Sequence, residues 1–313
     1  MRHLTRAVSV VSLFALAACG GGGGGGTSTE QTQSTAGGEN HGTAQSTSNM
    51  GSSTAPAASA APEPAHPAVT VTAGTSTPIP ENLHPRVQIT APRDGSLSRT
   101  NRVEVRLRVT DWPAPQDGRH VHLIVDNEPY RRVDDPSRPI VLENLSEGVH
   151  VLRAFPGWHT HESVKTAGAF AVATFFVGNR NDTVHFDAHT PFITYSRPKG
   201  DYNGADAEHI LLDFYITNVP NNQLAADGFR VRYDIDGSTH GEITSWVPHF
   251  IDNLPDGEHH IVVDLLGADG QPVAGAFNHT DRVIHVNRSA PPPSPAPASG
   301  SPAPASAAPA HAH

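Results

Sequence analysis

Between residues 84 and 288 the chain alternates apolar and polar side chains with the period of a β-strand. Val103, Val105, Leu107 and Val109 are interleaved with Arg102, Glu104, Arg106 and Arg108, which predicts a strand with one buried face. Ile210, Leu212, Phe214 and Ile216 repeat the pattern in the second half, and Val121, Leu123 and Val125 are echoed by Val231, Tyr233 and Ile235. Turn residues such as Asp126-Asn127 and Asp236-Gly237 close these runs, and no stretch carries a long helical period. The elements are those of an all-β chain.

The pattern is also duplicated. Gly118 to Asp126 matches Gly228 to Asp236 at an offset of 110, and Leu145-Ser146-Glu147-Gly148-Val149-His150 matches Leu254-Pro255-Asp256-Gly257-Glu258-His259 at an offset of 109. Pro92 matches Pro198 in the same way. Two modules follow, residues 84–178 and 189–288, with 179–188 as a linker. The stretch Leu145-x-x-Gly148-x-His150-x-Leu152 and its twin Leu254-x-x-Gly257-x-His259-x-Ile261 resemble the sixth-strand signature of bacterial immunoglobulin-like and fibronectin-like modules. The resemblance implies two tandem immunoglobulin-like β-sandwiches in which His150 and His259 serve the corner of the fold. It departs from antibody domains in lacking a Cys pair with a buried Trp between them, so it implies architecture and leaves the ligand open.

Composition changes outside the modules. Met1 to Arg6 is short and basic, and the apolar run from Ala7 to Ala18 is too short to span a bilayer, so 1–18 reads as a secretory signal. Its end, Leu16-Ala17-Ala18-Cys19, resembles the lipobox of bacterial lipoproteins. That resemblance implies cleavage before Cys19, acylation of this residue (palmitate included) and attachment to a membrane through lipid. Gly20 in place of Asp favours, by the same resemblance, the outer membrane of the cell envelope, facing the periplasm or the surface. Residues 19–83, rich in Gly, Ser, Thr, Ala and Pro and opening with seven consecutive Gly, are expected to form a disordered tether. The Pro/Ala-rich residues 289–313 are expected to be a disordered tail.

Charge and chemistry narrow the function. A net charge of −10 gives no footprint for nucleic acid, and a single Cys rules out an internal disulfide. No Gly-x-Ser-x-Gly elbow, His-Glu-x-x-His helix or phosphate-cradling loop occurs, so the chain reads as non-catalytic. The 20 His stand out. Residues shared by both modules are explained by the shared fold, so special chemistry belongs where the copies differ. His120-Val121-His122 faces Arg230-Val231-Arg232 in the other copy, and Trp158-His159-Thr160-His161 faces the plain turn Gly267-Ala268-Asp269-Gly270. With Val121 and Leu123 inward, His120 and His122 fall on the outer face. The topology implied by the resemblance brings His159 and His161 to the same end. Four imidazoles without thiols suit zinc or copper as a divalent ion, with affinity falling below about pH 6.5 as free His protonates. Trp112 and Trp158 lie at that end too and are expected to offer a binding surface. Asp234-Ile235-Asp236-Gly237-Ser238 lacks the spacing of a calcium loop and reads as a hairpin turn. Three functions remain open: a membrane-anchored binding or scaffold module for a protein, glycan or cell-wall ligand, needing no cofactor; a metal-binding lipoprotein; and an unrecognised hydrolase.

Overall fold

The computed structural model describes residues 67–166, 168–180 and 186–291. The segment expected to be a signal, the expected lipidation site Cys19, the expected tether up to residue 66 and the tail from residue 292 lie outside the described residues. Among the described residues the only helices are three short 3-10 turns, and none is long and apolar enough to cross a membrane.

The chain forms two β-sandwiches, as the alternation predicts. The first contains β2 (Arg86–Ala91), β3 (Ser96–Ser98), β4 (Val103–Thr110), β5 (His120–Val125), β6 (Arg131–Val133), β7 (Ile140–Leu142), β8 (Gly148–Gly157) and β9 (Ala171–Val177). A sheet ordered β2-β4-β7 packs on one ordered β3-β9-β8-β5-β6. The second contains β10 (Phe192–Arg197), β11 (Gly200–Asn203), β12 (His209–Thr217), β13 (Arg230–Ile235), β14 (Thr239–Ile243), β15 (His249–Asp252), β16 (Gly257–Leu266) and β17 (His279–Asn287). A strand from before the first sandwich, β1 (Thr70–Ala73), joins it, giving β1-β15-β12-β10 on β11-β17-β16-β13-β14. In both sandwiches the short strands β3 and β11 run parallel to the last strand, an immunoglobulin-like arrangement.

The inner faces carry the predicted apolar residues. Val103, Val105 and Leu107 of β4 alternate with exposed charges, and Val121, Leu123, Leu152 and Phe175 meet them across the first core. Each such side chain contributes roughly 1.5–3 kcal/mol by leaving water. The corner histidines serve the fold. His150 Nδ1 lies 2.7 Å from Asp126 Oδ2 and its Nε2 lies 2.9 Å from Ser146 O. His259 repeats this with Asp236 at 2.7 Å and Pro255 O at 2.9 Å. Both partners of His150 are acceptors, so the ring must donate from both nitrogens, and its hydrogen bond to the Asp126 carboxylate raises its pKa above the ordinary value. Asp234 to Ser238 is the hairpin turn between β13 and β14, with Gly237 N bonded to Asp234 Oδ1 at 2.7 Å.

Two features depart from the sequence reading. Residues 67–83 are ordered where composition places a tether: β1 pairs antiparallel with β15, from Thr70↔Asp252 to Ala73↔His249. Val69 and Val71 pack on the second core, so the β-branched run Val69-Thr70-Val71-Thr72 outweighs its Gly- and Pro-rich surroundings. The chain then crosses to the first sandwich, where Thr77 N and Oγ1 bond the Glu162 carboxylate at 3.1 and 2.6 Å.

The second departure is the outer face of β5 and β8, expected to meet solvent. Every residue of both strands is buried. The β10–β12 sheet of the second sandwich covers them, with Ile124, Tyr130 and Phe155 in one apolar cluster with Tyr215. Ser163 N donates to Asp213 Oδ2 at 2.9 Å, Tyr215 Oη to Thr166 O at 2.6 Å, and the buried Arg153 to Thr194 Oγ1 at 3.1 Å. Both sandwiches belong to one compact unit.

Candidate functional site

The strand period sends His120, His122 and Ile124 of β5 away from the first core and into this joint. The cross-strand partner of His120 is Gly157 of β8, and that of His122 is Phe155. A Cβ on Gly157 would stand 2.6 Å from His122 Nε2 and 3.0 Å from His120 Nε2, so a residue without a side chain keeps open the space in front of both nitrogens. β8 then ends in a turn closed by a hydrogen bond of 2.8 Å from His161 N to Trp158 O. His161 takes the left-handed conformation at φ +67, and its ring closes on the pair.

Three ring nitrogens converge. His120 Nε2 lies 2.9 Å from His122 Nε2 and 3.2 Å from His161 Nδ1, and one nitrogen of each ring falls within 4.8 Å of the others. A tetrahedral ion at 2.0–2.1 Å from each nitrogen sets them about 3.3 Å apart, which His120 already approaches with both partners, while His122 and His161 would close in from within 4.8 Å. The outer partner of His120 fixes its lone pair. His120 Nδ1 faces Gly118 O at 3.0 Å; a carbonyl only accepts, so the proton sits on Nδ1 and Nε2 presents a lone pair. His122 Nδ1 lies 3.1 Å from Ser196 Oγ on β10. The hydroxyl serves either tautomer: it donates while His122 Nε2–H bonds His120, and accepts once an ion takes that nitrogen. The ring of Tyr130 stacks on His122 at 3.7 Å between centroids.

Burial holds all three imidazoles neutral, the form that ligates. His120 falls to about 4 and His161 to about 3, each chiefly by burial, the latter helped by Arg197. His122 lies well below its ordinary value, by burial and by His120 beside it. The onset of protonation expected at about pH 6.5 therefore moves to more acidic conditions.

Of the residues expected from sequence, His120, His122 and His161 come together and His159 does not. His159 and Thr160 occupy the exposed tip of the Trp158–His161 turn, which faces solvent. His120 and His122 are buried rather than surface ligands, because the second sandwich covers their face. Trp112 and Trp158 form no binding surface. They pack edge to face in the first core at 4.7 Å, 4% and 6% exposed, because the loops carrying them fold inward over it. Trp112 Nε1 donates to His120 O at 3.0 Å and so braces the strand under the site. Tyr130, Gly157, Ser196 and Arg197 also border the cluster and carry no signal of it in the sequence. Two of these belong to the second module, and no repeat pattern reports which surfaces dock.

No protein-family model and no curated protein matches the chain. Among solved structures it is similar to the fibronectin(III)-like modules of Clostridium thermocellum CbhA, with 16% identity over 64% of this chain and 95% of that one, at a TM-score of 0.24. It is also similar to the central fibronectin-III array of RIM-binding protein, with 12% identity over 64% and 70% at a TM-score of 0.23. A third is the Bacteroides ovatus mixed-linkage glucan utilization protein SGBP-B, with 15% identity over 64% of this chain and 47% of that one, at a TM-score of 0.20. The immunoglobulin-like assignment rests on the sheet order, and any function rests on the site.

Proposed function

We propose that the chain is a non-catalytic binding module that holds one divalent transition-metal ion, zinc or copper, on His120, His122 and His161. The observation that carries the proposal is the convergence of three neutral ring nitrogens, 2.9 and 3.2 Å apart, in front of a glycine that leaves them room. Imidazole donors without thiols suit these ions. Gly118 O and Ser196 Oγ supply the outer-shell bonds that metal-bound histidines use. Dialysis of the untagged full chain against Zn(II) or Cu(II), followed by metal analysis, is expected to leave one tight equivalent that the double variant His120→Ala/His122→Ala loses. Equal retention by the variant would assign the ion to other histidines and end this reading.

We further propose that the module works in the cell envelope, carried on lipid at Cys19. Labelled palmitate is expected to enter the wild-type chain and not Cys19→Ser, and a variant that stays with the membranes would refute the anchor.

A further inference from the structure

The proposed centre supplies three ligands and no negative charge. The charged groups acting most strongly on its rings are cations: Arg197 on all three, Lys199 on His122 and His161, and Arg132 on His120 and His161. The one acidic group among them, Asp134, acts on His120 and is itself bonded to Arg132 Nε at 2.7 Å. A divalent ion placed here would face uncompensated positive charge in a buried setting, where such charge is costly.

Arg197 and Lys199 are themselves short of anions. Arg197 Nε donates to Tyr130 Oη at 2.9 Å and Nη1 to Tyr202 Oη at 3.2 Å. Burial pushes Tyr130 up to about 12, so it is a neutral phenol at ordinary pH and balances nothing. Arg197 Nη2 makes no hydrogen bond among the described residues. Lys199 Nζ lies 4.4 Å from the centroid of the Tyr130 ring, with no carboxylate partner among the described residues.

Space for an anion adjoins Arg197. A cavity of about 470 Å³, the size of a small-ligand site, opens beside the cluster, with His161, Arg197 and Tyr202 in its wall. Asp201 and Asp206 also border it, and the exposed Asp201 pairs with His285 at 3.4 Å.

Building on the metal reading above, we propose that an exogenous oxyanion, a carboxylate or phosphate group entering through this cavity, completes the centre. One oxygen takes the metal's open position, as water or substrate does at three-ligand zinc sites, and another meets Arg197 Nη2, with Lys199 adding charge.

The test uses the full chain loaded with Co(II) in an anion-poor buffer and titrated with acetate and, separately, inorganic phosphate, watching the visible spectrum of the ion. A saturable spectral change is expected with at least one of them, and the arm that binds more tightly identifies the group. Arg197→Gln/Lys199→Gln is expected to weaken the anion about tenfold or more, while metal affinity holds or rises because two cations are gone. Lys199→Gln alone breaks no hydrogen bond and is expected to weaken the anion about threefold, so the test survives if the double variant fails to fold. A Co(II) spectrum indifferent to both anions, or anion binding unchanged in the foldable variants, overturns this inference and leaves the metal reading standing. Failure of Co(II), Zn(II) and Cu(II) to bind at all overturns both.

Discussion

On the first sandwich His122 stands across from Phe155, and on the second, at the same point of the same two strands, Arg232 stands across from Asp264. Arg232 bonds Asp264 Oδ2 through Nε at 3.1 Å and Nη2 at 2.9 Å, with the guanidinium half exposed. One step along, His120 faces Gly157 where Arg230 faces Leu266. The inner faces of the two sheets are alike, because both must fill a sandwich core. The outer faces are free to diverge. In the second sandwich that face carries an ion pair whose guanidinium meets solvent while Asp264 is buried and also faces His279 Nδ1 at 2.7 Å. In the first it is closed by a neighbouring sheet, which excludes water, turns imidazoles into neutral donors and brings Ser196 and Arg197 against them. The same backbone thus yields a partly exposed ion pair or a buried cluster of imidazoles according to what covers it.

The comparison breaks most severely if the second copy's pair works equally well in the first. His122→Arg/Phe155→Asp is expected to cost about 3 kcal/mol or more, because both charges would be desolvated in the joint, and to abolish metal binding. Thermal unfolding and metal titration read the two effects; a wild-type melting point would show that the joint is wet. Next in size, Gly157→Ala places a methyl 2.6 Å from His122 Nε2 and is expected to weaken metal binding about 100-fold. Leu266→Ala, its twin, should leave the metal untouched while costing about 2–5 kcal/mol, because Leu266 is buried on the outer face of β16. Competition with a chelator separates these outcomes, and equal metal affinities for the two variants would contradict the assigned void. Ser196→Ala removes the second module's hydroxyl and is expected to weaken the ion about tenfold; no change would mean that the second sandwich only covers the site.

The smallest effect concerns the corner that both copies share. His150 has its pKa raised by Asp126, so the stability it contributes is fully present below the unfolded value of about 6.5 and is lost as pH rises through the higher folded value. Asp126→Asn is therefore expected to cost about 1 kcal/mol near pH 5.5, with the gap from wild type closing in alkali. A denaturation series across pH measures it, and a gap that widens toward alkali would reverse the assignment.

The repeat and the alternation made the strands legible because burial of one face imposes period two on β4, β12 and β13. The histidine pair was legible because it differs between copies. The joint was harder to see, yet a signal exists in β8. Val149, Val151, Leu152, Ala154 and Phe155 fall on both faces of the strand, whereas its twin β16 carries Glu258, His260 and Asp264. An apolar strand on both faces is one covered twice. Which surface covers it depends on shape complementarity between distant segments, and no local period encodes that. His159 misled for a related reason: spacing puts it beside His161, but a turn sends adjacent residues to opposite destinations.

The path of the incoming chain has a mechanical meaning. A pull on the residues preceding Thr70 would first load the β1–β15 ladder at the rim of the second sandwich, then the Thr77–Glu162 clasp on the first. Force delivered along the leading segment would thus be spent stripping a four-residue edge strand before it reached the strands that hold the histidines. β1 acts as strain relief, the way a cable is clamped to its housing so that a tug never reaches the terminals.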